Sequence, residues 1–406
     1  MARPAVVLVE FSPSGGLFQF GAQLGSALTR HLEPVEMWTG PDPELSSTTT
    51  GFTIRSVLPT WHPADAEVRS RPVRLVRRGM RAAQLVLAWL VLGAHLIRHR
   101  PGAVVFSHWR FAFEPLFVAL YSMLLPRTTF ALVAHEPFPR SDAKDTSTEK
   151  TGRFLTWCFR TAWSRLDAVF VLGQRTKELV LDRWQPRGDV VVIPHGDESI
   201  FTRSGGATIG PPSQSGPVAL FFGTWTAYKG IDDLLDAFTL VRTANLDARL
   251  VMAGAVGADI DIAATLEKAT AIGNVETRPG YVEADDVARI VSSARVVVAP
   301  YIRASQSGVV HLAFTFGRPV VATSVGDIGD VVRDGDNGIL VPPRDPEALS
   351  QAILAVLRDD ELADRLGENG RAGVEGAWDQ AAKLVADTLG RAQRRGMSTA
   401  RSGGTP

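Results

Sequence analysis

The sequence has a single cysteine, no net charge and no long uninterrupted apolar run, and each shortage excludes a class of protein. Cys158 stands alone among 406 residues, which excludes an intramolecular disulfide, a cysteine-ligated zinc site and an iron–sulfur cluster. A reducing compartment fits this usage best. We therefore expect a cytoplasmic protein, and no cluster of residues in the sequence requires a metal or another cofactor.

Basic and acidic side chains number 43 each, so the chain lacks the basic surplus of a dedicated nucleic-acid-binding protein. The balance conceals an asymmetry between the two halves. Residues 1–203 hold 24 basic and 18 acidic side chains, and the rest of the chain carries the opposite surplus. The first half is therefore the one that should face an anionic partner.

The N-terminus has no basic segment followed by a cleavable apolar core, and Ala5–Val9 begins like a buried strand. The longest uncharged run in the basic region, Ala82–Ile97, has 16 residues. A bilayer-spanning helix needs about 20. We therefore expect neither secretion nor a transmembrane helix.

Two series of apolar runs organise the chain. Runs of five to seven residues alternate with amphipathic stretches of 10 to 15, a rhythm that predicts βαβ units around parallel sheets. The chain length corresponds to two domains of about 200 residues each. We predict strands at 5–10, 103–107, 130–134, 168–173 and 190–194 in the first domain and at 218–223, 248–254, 275–281, 295–301 and 319–325 in the second.

Segments rich in glycine, proline and serine mark the boundaries. Residues 204–217 cannot sustain a helix or a central strand, so they predict a linker between domains at 1–203 and 218–377. The tail at 395–406 lacks periodic apolar residues and is predicted to be disordered. Two such domains leave a cleft between the carboxyl ends of their sheets, where open α/β folds bind ligands.

Three loops at predicted strand ends are candidate anion sites. Gly15 and Gly16 follow the first strand and allow backbone amides to approach a phosphate at a helix N-terminus. Such paired glycines are also common in turns that bind nothing.

The second candidate loop, Phe221–Gly230, contains Gly223 and places Lys229 close to the start of the next helix. A cation interacts poorly with that end of the helix dipole, which favours a reason outside the helix, such as a nucleotide diphosphate. A solvated lysine is the alternative interpretation.

The third candidate loop holds Ser305, Gln306, Ser307 and Gly308, followed by the apolar helix that begins near Val309. Neutral donors and a glycine suit the close approach of an anion. An ordinary helix cap by Ser305 or Ser307 is the alternative.

Two histidines also follow predicted strands. His135 lies at a strand end before the proline-containing segment Glu136–Pro139, a placement that favours a functional role. His195 lies near the interdomain connection, where a loop-stabilising hydrogen bond is as good an explanation. For either residue a purely structural role stays open.

Taken together, these motifs resemble those of the retaining GT-B glycosyltransferases of family 4, often called glycosyltransferase group 1. The segments that carry the resemblance follow one another in the family's order and spacing: Phe222–Gly230, Val251–Gly254, Gly280–Glu283, Val298–Tyr301, Gly317–Val321 and Asn337–Val341. The resemblance implies an α/β fold of two Rossmann-like domains, each with a parallel sheet facing an interdomain cleft. It also implies that the last helix, 378–394, returns to the first domain.

The resemblance assigns roles to the candidate residues. His135 would face the transferred sugar, and Lys229 would face the diphosphate. The remaining positions would bind the nucleotide sugar, Gly15 and Gly16 facing the donor phosphates and the acceptor, and Tyr281 and Val282 facing the base. These positions are Gly15, Gly16, Gly223, Gly254, Tyr281, Val282, Ser305, Gln306, Ser307, Gly308 and Val309.

Two departures from the family pattern concern the phosphate loops. Thr224 stands where the family usually has arginine, and Ala304 and Leu312 stand where it has a pair of glutamates. The sequence is similar to a subgroup in which a Ser/Thr-Gln-Ser-Gly motif, here Ser305–Gly308, occupies that loop.

The activity implied by the resemblance is transfer of a hexosyl residue, with retention, from a nucleotide sugar to a glycan or lipid-linked acceptor in cell-envelope or exopolysaccharide synthesis. A sugar-nucleotide epimerase of the same architecture and a catalytically silent scaffold subunit are the alternatives. No nucleic-acid partner is expected.

A basic segment next to apolar residues suggests where the protein would be located. Six arginines precede Ala82–Ile97, and a basic edge beside apolar surface can bind anionic lipid. A core helix with solvated arginines is the alternative. The hypothesis is a peripheral position on the inner face of the cell membrane, mediated by Arg69, Arg71, Arg74, Arg77, Arg78 and Arg81.

Overall fold

The computed structural model describes residues 4–60, 71–109, 113–135, 153–204 and 209–402. Its first domain is built on a seven-stranded, wholly parallel sheet with the order β3-β2-β1-β4-β5-β6-β7. The strands are β1 (Val6–Val9), β2 (Val35–Thr39), β3 (Phe52–Ser56), β4 (Ala103–Phe106), β5 (Thr129–Val133), β6 (Ala168–Val171) and β7 (Asp189–Val192).

Helices connect these strands and cover both faces of the sheet. They are α1 (Gly16–Leu28), α2 (Arg71–His99), α3 (Glu114–Leu124), α4 (Arg153–Trp163), α5 (Gln174–Arg183) and α6 (Ser199–Ser204). Every residue of β1, β4, β5 and β6 is buried. Their uninterrupted apolar sequences are those of parallel strands covered on two sides.

The second domain is built on a six-stranded parallel sheet with the order β10-β9-β8-β11-β12-β13. Its strands are β8 (Val218–Phe222), β9 (Arg249–Gly254), β10 (Val275–Pro279), β11 (Val296–Ala299), β12 (Val320–Thr323) and β13 (Gly338–Val341). Its helices are α7 (Ile231–Ala244), α8 (Ile262–Ile272), α9 (Ala284–Ser292), α10 (Gly308–Thr315), α11 (Ile328–Val331), α12 (Pro346–Arg358) and α13 (Asp360–Val374).

The expected fold class, two α/β domains with parallel sheets, is confirmed. Three strands that the apolar pattern did not predict, β2, β3 and β13, lie at or next to sheet edges. Edge strands are covered less completely, so β3 alternates Phe52 and Ile54 with exposed or half-buried polar residues instead of forming a continuous apolar run.

Two chain segments connect the domains, one after β7 and one at the last helix. Phe201 of α6 belongs to the core of the second domain. The last helix, α14 (Ala377–Ser402), packs against α1 and buries Val385 and Leu389 in the core of the first domain. The indole Nε1 of Trp378 donates to the carbonyl of Asp197 at 2.7 Å, which fixes the start of α14 beside the connection.

Most of the tail predicted to be disordered, 395–406, is helical in the structure, and residues 403–406 lie outside the described residues. The helix α14 extends through Ser402, beyond the Arg394 at which the sequence-based prediction ends it. Arg395 pairs with Asp189 of β7 at 2.6 Å, and Arg391 lies 3.8 Å from the same carboxylate. These ion pairs hold the helix against the sheet at Arg391 and Arg395, where the helix has no apolar pattern that would do so.

Helix α2 is longer than the uncharged run on which the expectation of no transmembrane helix rests. Its segment Gly79–His99 is long and apolar enough, by length and composition, to cross a membrane. The helix nonetheless belongs to the first domain, because Trp89 is fully buried and donates to Glu114 of α3 at 3.2 Å. The helix is longer than the uncharged run because Arg81 and Arg98 are part of it.

Candidate functional site

The loop after β8 is shaped by three glycines with positive φ angles, at 105° for Gly223, 68° for Gly230 and 144° for Gly254. A Cβ atom on Gly254 would lie 2.0 Å from the carbonyl oxygen of Gly223, and one on Gly230 would lie 1.9 Å from that of Pro300. The backbone of this loop therefore packs directly against the ends of β9 and β11. Only glycine allows both the close contacts and the backbone angles.

Lys229 projects into the same region from a single 3-10 turn, Ala227–Lys229. Its Nζ atom would be 2.8 Å from a Cβ on Gly223 and lies 5.6 Å from the ring centroid of Tyr301. Val309 of α10 lies 3.5 Å from the same Cβ position. The structure thus brings together Gly223, Lys229 and the start of α10, as the motif analysis predicts for a phosphate site.

The Ser305–Gly308 loop is not an ordinary helix cap. Ser307 precedes α10 in an extended conformation, yet no side chain in this described segment caps the helix. The Ser307 hydroxyl lies 3.1 Å from the hydroxyl of Tyr301, and the Ser305 carbonyl accepts from the amide of Asp327 at 2.8 Å. The first amides of α10 are therefore left without a capping side chain beside Lys229.

The glycine loop of the first domain already contacts a carboxylate. Gly15, with φ of 87°, precedes α1 and donates its amide to Glu44 at 2.9 Å, while Gln19 donates to the same carboxylate at 3.0 Å. A Cβ on Gly15 or Gly16 would meet no neighbour within 4 Å. The anion that this loop contacts in the structure is the side chain of Glu44.

Tyr281 reaches across the cleft from the second domain. Its hydroxyl donates to Glu44 at 3.3 Å, and partial burial and the Glu44 charge raise the pKa of the phenol. The ring is 65% exposed, so its faces stay accessible. The neighbouring Val282 packs partly against the core of the second domain.

His135 lies two residues after the end of β5, on the first-domain side of the cleft. It is buried, its ring packs edge-on against Phe20 at 4.5 Å, and its Nε2 has no hydrogen-bond partner within the described residues. Burial, with smaller contributions from His195 and His108, lowers the pKa of His135 to about 3. The imidazole is therefore neutral at physiological pH and offers one unsatisfied nitrogen.

Two acidic residues near the cleft were missed by the sequence analysis. Glu44 contacts the Gly15 loop, and Glu198 accepts from His195 and from Gln23. Neither belongs to a spaced motif, since each stands alone in a loop. Only the position of Glu198, three residues after His195, indicated the contact between those two.

The arrangement combines a cation, a helix N-terminus without a side-chain cap and a neutral imidazole around one cleft. Such groups can bind a diphosphate and orient a neutral polyhydroxylated molecule. Among the residues that the structure describes, no three His, Cys, Asp or Glu side chains form a metal-binding group.

Two family profiles match the chain, one on each domain. The profile described as Glycosyltransferase Family 4 matches residues 22–196. The profile described as Glycosyl transferases group 1 matches residues 216–359. The boundary between the two matches coincides with the connection between the two sheets.

Among sequence relatives, phosphatidyl-myo-inositol mannosyltransferase of Mycobacterium leprae (strain TN) is 32% identical over 202 residues. That alignment covers 48% of this chain and 52% of the relative. The chain spans between 24 and 60% of the length of the curated relatives that it matches.

Solved structures resemble the whole chain. Sucrose-phosphate synthase from Thermosynechococcus elongatus superposes with a TM-score of 0.68 at 20% identity, covering 98% of this chain and 100% of that one. Anabaena HepE, solved in complex with UDP and glucose, gives 0.64 at 14% identity, covering 95% and 99%. At these identities the likeness concerns the fold alone. The two profile matches place the chain in glycosyltransferase family 4, group 1, and the solved structures show that it has the GT-B fold.

Proposed function

We propose that the chain transfers a hexosyl residue from a nucleotide sugar, with retention, to a glycan or lipid-linked acceptor in cell-envelope or exopolysaccharide synthesis. In this reaction the bond from the anomeric carbon to the diphosphate oxygen breaks. A bond to the acceptor hydroxyl oxygen forms, and the hydroxyl proton leaves with the nucleoside diphosphate or to water.

The observation that carries the proposal is the convergence of Lys229, Gly223 and the uncapped start of α10. A diphosphate leaving group carries the negative charge that this cation and these amides stabilise. His135 lies across the cleft as a neutral group suited to a sugar hydroxyl.

The donor class is supported by the fold relative HepE, which was solved with UDP and glucose. Tyr281, with its exposed ring, and Val282 are the proposed contacts to the base. Gly254 supports the phosphate loop through its contact with Gly223.

We further propose that the chain belongs to the subgroup with a Ser/Thr-Gln-Ser-Gly loop. Leu312, at the second of the two glutamate positions, is buried in the core of the second domain and cannot reach a sugar. Ser305 and Gln306 would supply neutral hydrogen-bond partners in place of the carboxylates, with positioning and closure rather than a carboxylate pair driving the reaction.

The proposed location is the inner face of the cell membrane, with the first domain facing the lipid. Helix α2 buries one apolar face, which includes Trp89, and carries another apolar stripe on its exposed side. The residues of this exposed stripe follow one another at spacings of three and four along the helix. Its members are all exposed: Val73, Val76, Met80, Ala83, Leu87, Leu90, Ala94 and Ile97.

The neighbouring helices continue this outer apolar surface. Met123 and Leu124 of α3 and Phe154 and Trp157 of α4 are exposed, and α3 packs against both α2 and α4. An exposed apolar area of this size, on the basic half of the chain, is typical of a contact with an anionic lipid surface. A lipid-linked acceptor would reach the cleft from that surface. The side chains of Arg71, Arg74 and Arg78, and all of Arg69, lie outside the described residues.

The experiment that tests the proposed function incubates the protein with radiolabelled UDP-, GDP- and ADP-sugars and a membrane extract. Transfer predicts label in extractable lipid or polymer and release of the nucleoside diphosphate. It also predicts that Lys229→Ala loses the product while Lys268→Ala, at a half-buried lysine paired with Asp236, retains it.

The two alternative functions give other products. An epimerase of the same fold would convert the free nucleotide sugar without needing an extract. A silent scaffold subunit would leave every donor unchanged. Either result would contradict the proposed transfer.

A further inference from the structure

Six buried polar side chains meet where the first domain connects to the second. None of them is exposed by more than 8%. They come from α1, from the segment between β7 and α6, and from the start and end of α10. The six are Gln23, His195, Glu198, Ser307, His311 and Thr315.

Glu198 lies at the centre of this cluster. Its carboxylate accepts from Nε2 of Gln23 at 2.9 Å and from Nε2 of His195 at 3.1 Å, while its amide donates to the hydroxyl of Thr315 at 2.8 Å. One residue of the interdomain connection therefore binds α1 of the first domain and α10 of the second. The next contacts run along α10.

The hydroxyl of Thr315 donates to the carbonyl of His311 at 2.7 Å, and Nδ1 of His311 lies 3.1 Å from the carbonyl of Ser307. Burial and the neighbouring His195 hold the pKa of His311 well below its usual value, so the ring is neutral. The rings of His195 and His311 stack at 4.1 Å. A continuous set of contacts thus extends from Glu198 to the Ser305–Gly308 loop.

The two helices joined by Glu198 are the two that begin in the proposed substrate loops. Gln23 lies two turns after Gly16, and Thr315 lies two turns after Gly308. Glu198 therefore forms a hydrogen bond with each helix at the same number of turns from the helix N-terminus. These two hydrogen bonds set the distance between the N-termini. Those termini face the cleft from opposite sides.

We infer that Glu198 is a positioning residue that fixes α1 relative to α10 and thereby aligns the two substrate loops across the cleft. Its part in catalysis rests on the proposed function. The chain lacks the usual glutamate pair. The alignment of the two loops therefore provides the precise positioning of the substrates that direct carboxylate contacts would otherwise provide. A misplacement of about 1 Å can cost about 100-fold in rate.

Two substitutions each break one side of this link without removing Glu198. Gln23→Met removes the donor on α1, and Thr315→Val removes the acceptor on α10. Thr265→Val is a matched control, because Thr265 is equally buried and its hydroxyl also donates to a backbone carbonyl four residues back, in α8.

The first readout is the radius of gyration of the unliganded full-length protein, measured by small-angle X-ray scattering. Both single variants are expected to have a larger radius than the wild type, since the domains are no longer held together at this point. Thr265→Val is expected to match the wild type. Equal radii for all four proteins would overturn the inference, whether or not the chain is a transferase.

The second readout is turnover in the transfer assay. Each single variant is expected to lose about 100-fold in kcat with little change in KM for the donor, and the double variant is expected to lose no more than either single one. Multiplied losses in the double variant, or a change confined to KM, would also overturn the inference. A wild type without any transfer would contradict the proposed function, and the scattering result would still decide the role of Glu198.

Discussion

A methyl group on Gly254 would stand 2.0 Å from the carbonyl oxygen of Gly223. The first residue ends β9, and the second opens the loop that carries Lys229. The amide of Gly223 also donates to the carbonyl of Ala253 at 2.9 Å. The conformation of the proposed phosphate loop is therefore set by a backbone contact with the neighbouring strand.

Gly254→Ala should consequently weaken nucleoside diphosphate binding and destabilise the protein by about 2 to 4 kcal/mol, through the clash and the positive φ. Urea unfolding and calorimetry measure the two effects. Gly373→Ala in α13, where a Cβ meets no neighbour, should change stability by no more than about 1 kcal/mol. Equal stability of the two variants would contradict this reading of Gly254.

The sequence allowed the central strands and the three candidate loops to be predicted, because each depends on local features. Buried parallel strands are continuous apolar runs, and loops at their carboxyl ends must be small and polar. Strands β2 and β3 escaped because a charged residue, Glu36 in β2 and Arg55 in β3, interrupts each apolar run.

The contacts of Glu44 and Glu198 could not be predicted in the same way. Glu44 meets Tyr281 across 237 positions, and Glu198 meets Thr315 across 117. Such pairs depend on how the two domains are oriented. Local spacing in one sequence carries no information about that orientation.

His135 should make stability depend on pH. The pKa is about 3 in the folded protein and near 6.5 in the unfolded chain, so the unfolded state binds more protons between these values. Its contribution is complete above about pH 6.5 and is lost as the pH falls toward 3, by up to about 1.4 kcal/mol per pH unit. Unfolding by urea at several pH values should show a shallower dependence for His135→Gln than for the wild type. Parallel curves would show that His135 does not titrate this way.

The chemical role of His135 is tested at neutral pH. His135→Gln should reduce turnover by about 100-fold while leaving nucleoside diphosphate affinity and Tm nearly unchanged, because the proposed contact is to the sugar. His99→Gln, at a histidine that packs on Trp38 outside the cleft, is the control. A large fall in Tm for His135→Gln, without a specific loss of turnover, would make the residue structural.

Membrane docking should depend on the basic segment of the first domain. Replacing Arg74, Arg77, Arg78 and Arg81 with glutamine should abolish salt-sensitive sedimentation with anionic vesicles and leave nucleotide binding intact. Salt weakens the attraction because the Debye length falls from about 10 Å at 0.1 M to about 3 Å at 1 M.

The matched control for docking removes four exposed arginines of the second domain. These are Arg249, Arg278, Arg289 and Arg333. Wild-type protein that stays in the supernatant beside anionic vesicles at low salt would refute the membrane proposal and favour a soluble acceptor.

Calorimetric titration with UDP, GDP and ADP tests most directly that the loop around Lys229 binds a nucleoside diphosphate. At least one of the three should bind the wild type, and Lys229→Ala should lose about 1.5 to 3 kcal/mol of that binding free energy because a charge-assisted contact is removed. Binding of the corresponding nucleoside, and of every ligand to Lys268→Ala, should be unchanged. If the nucleoside and the diphosphate lose affinity equally in Lys229→Ala, or if none of the three diphosphates binds the wild type, the phosphate site does not lie where the structure brings Gly223, Lys229 and α10 together.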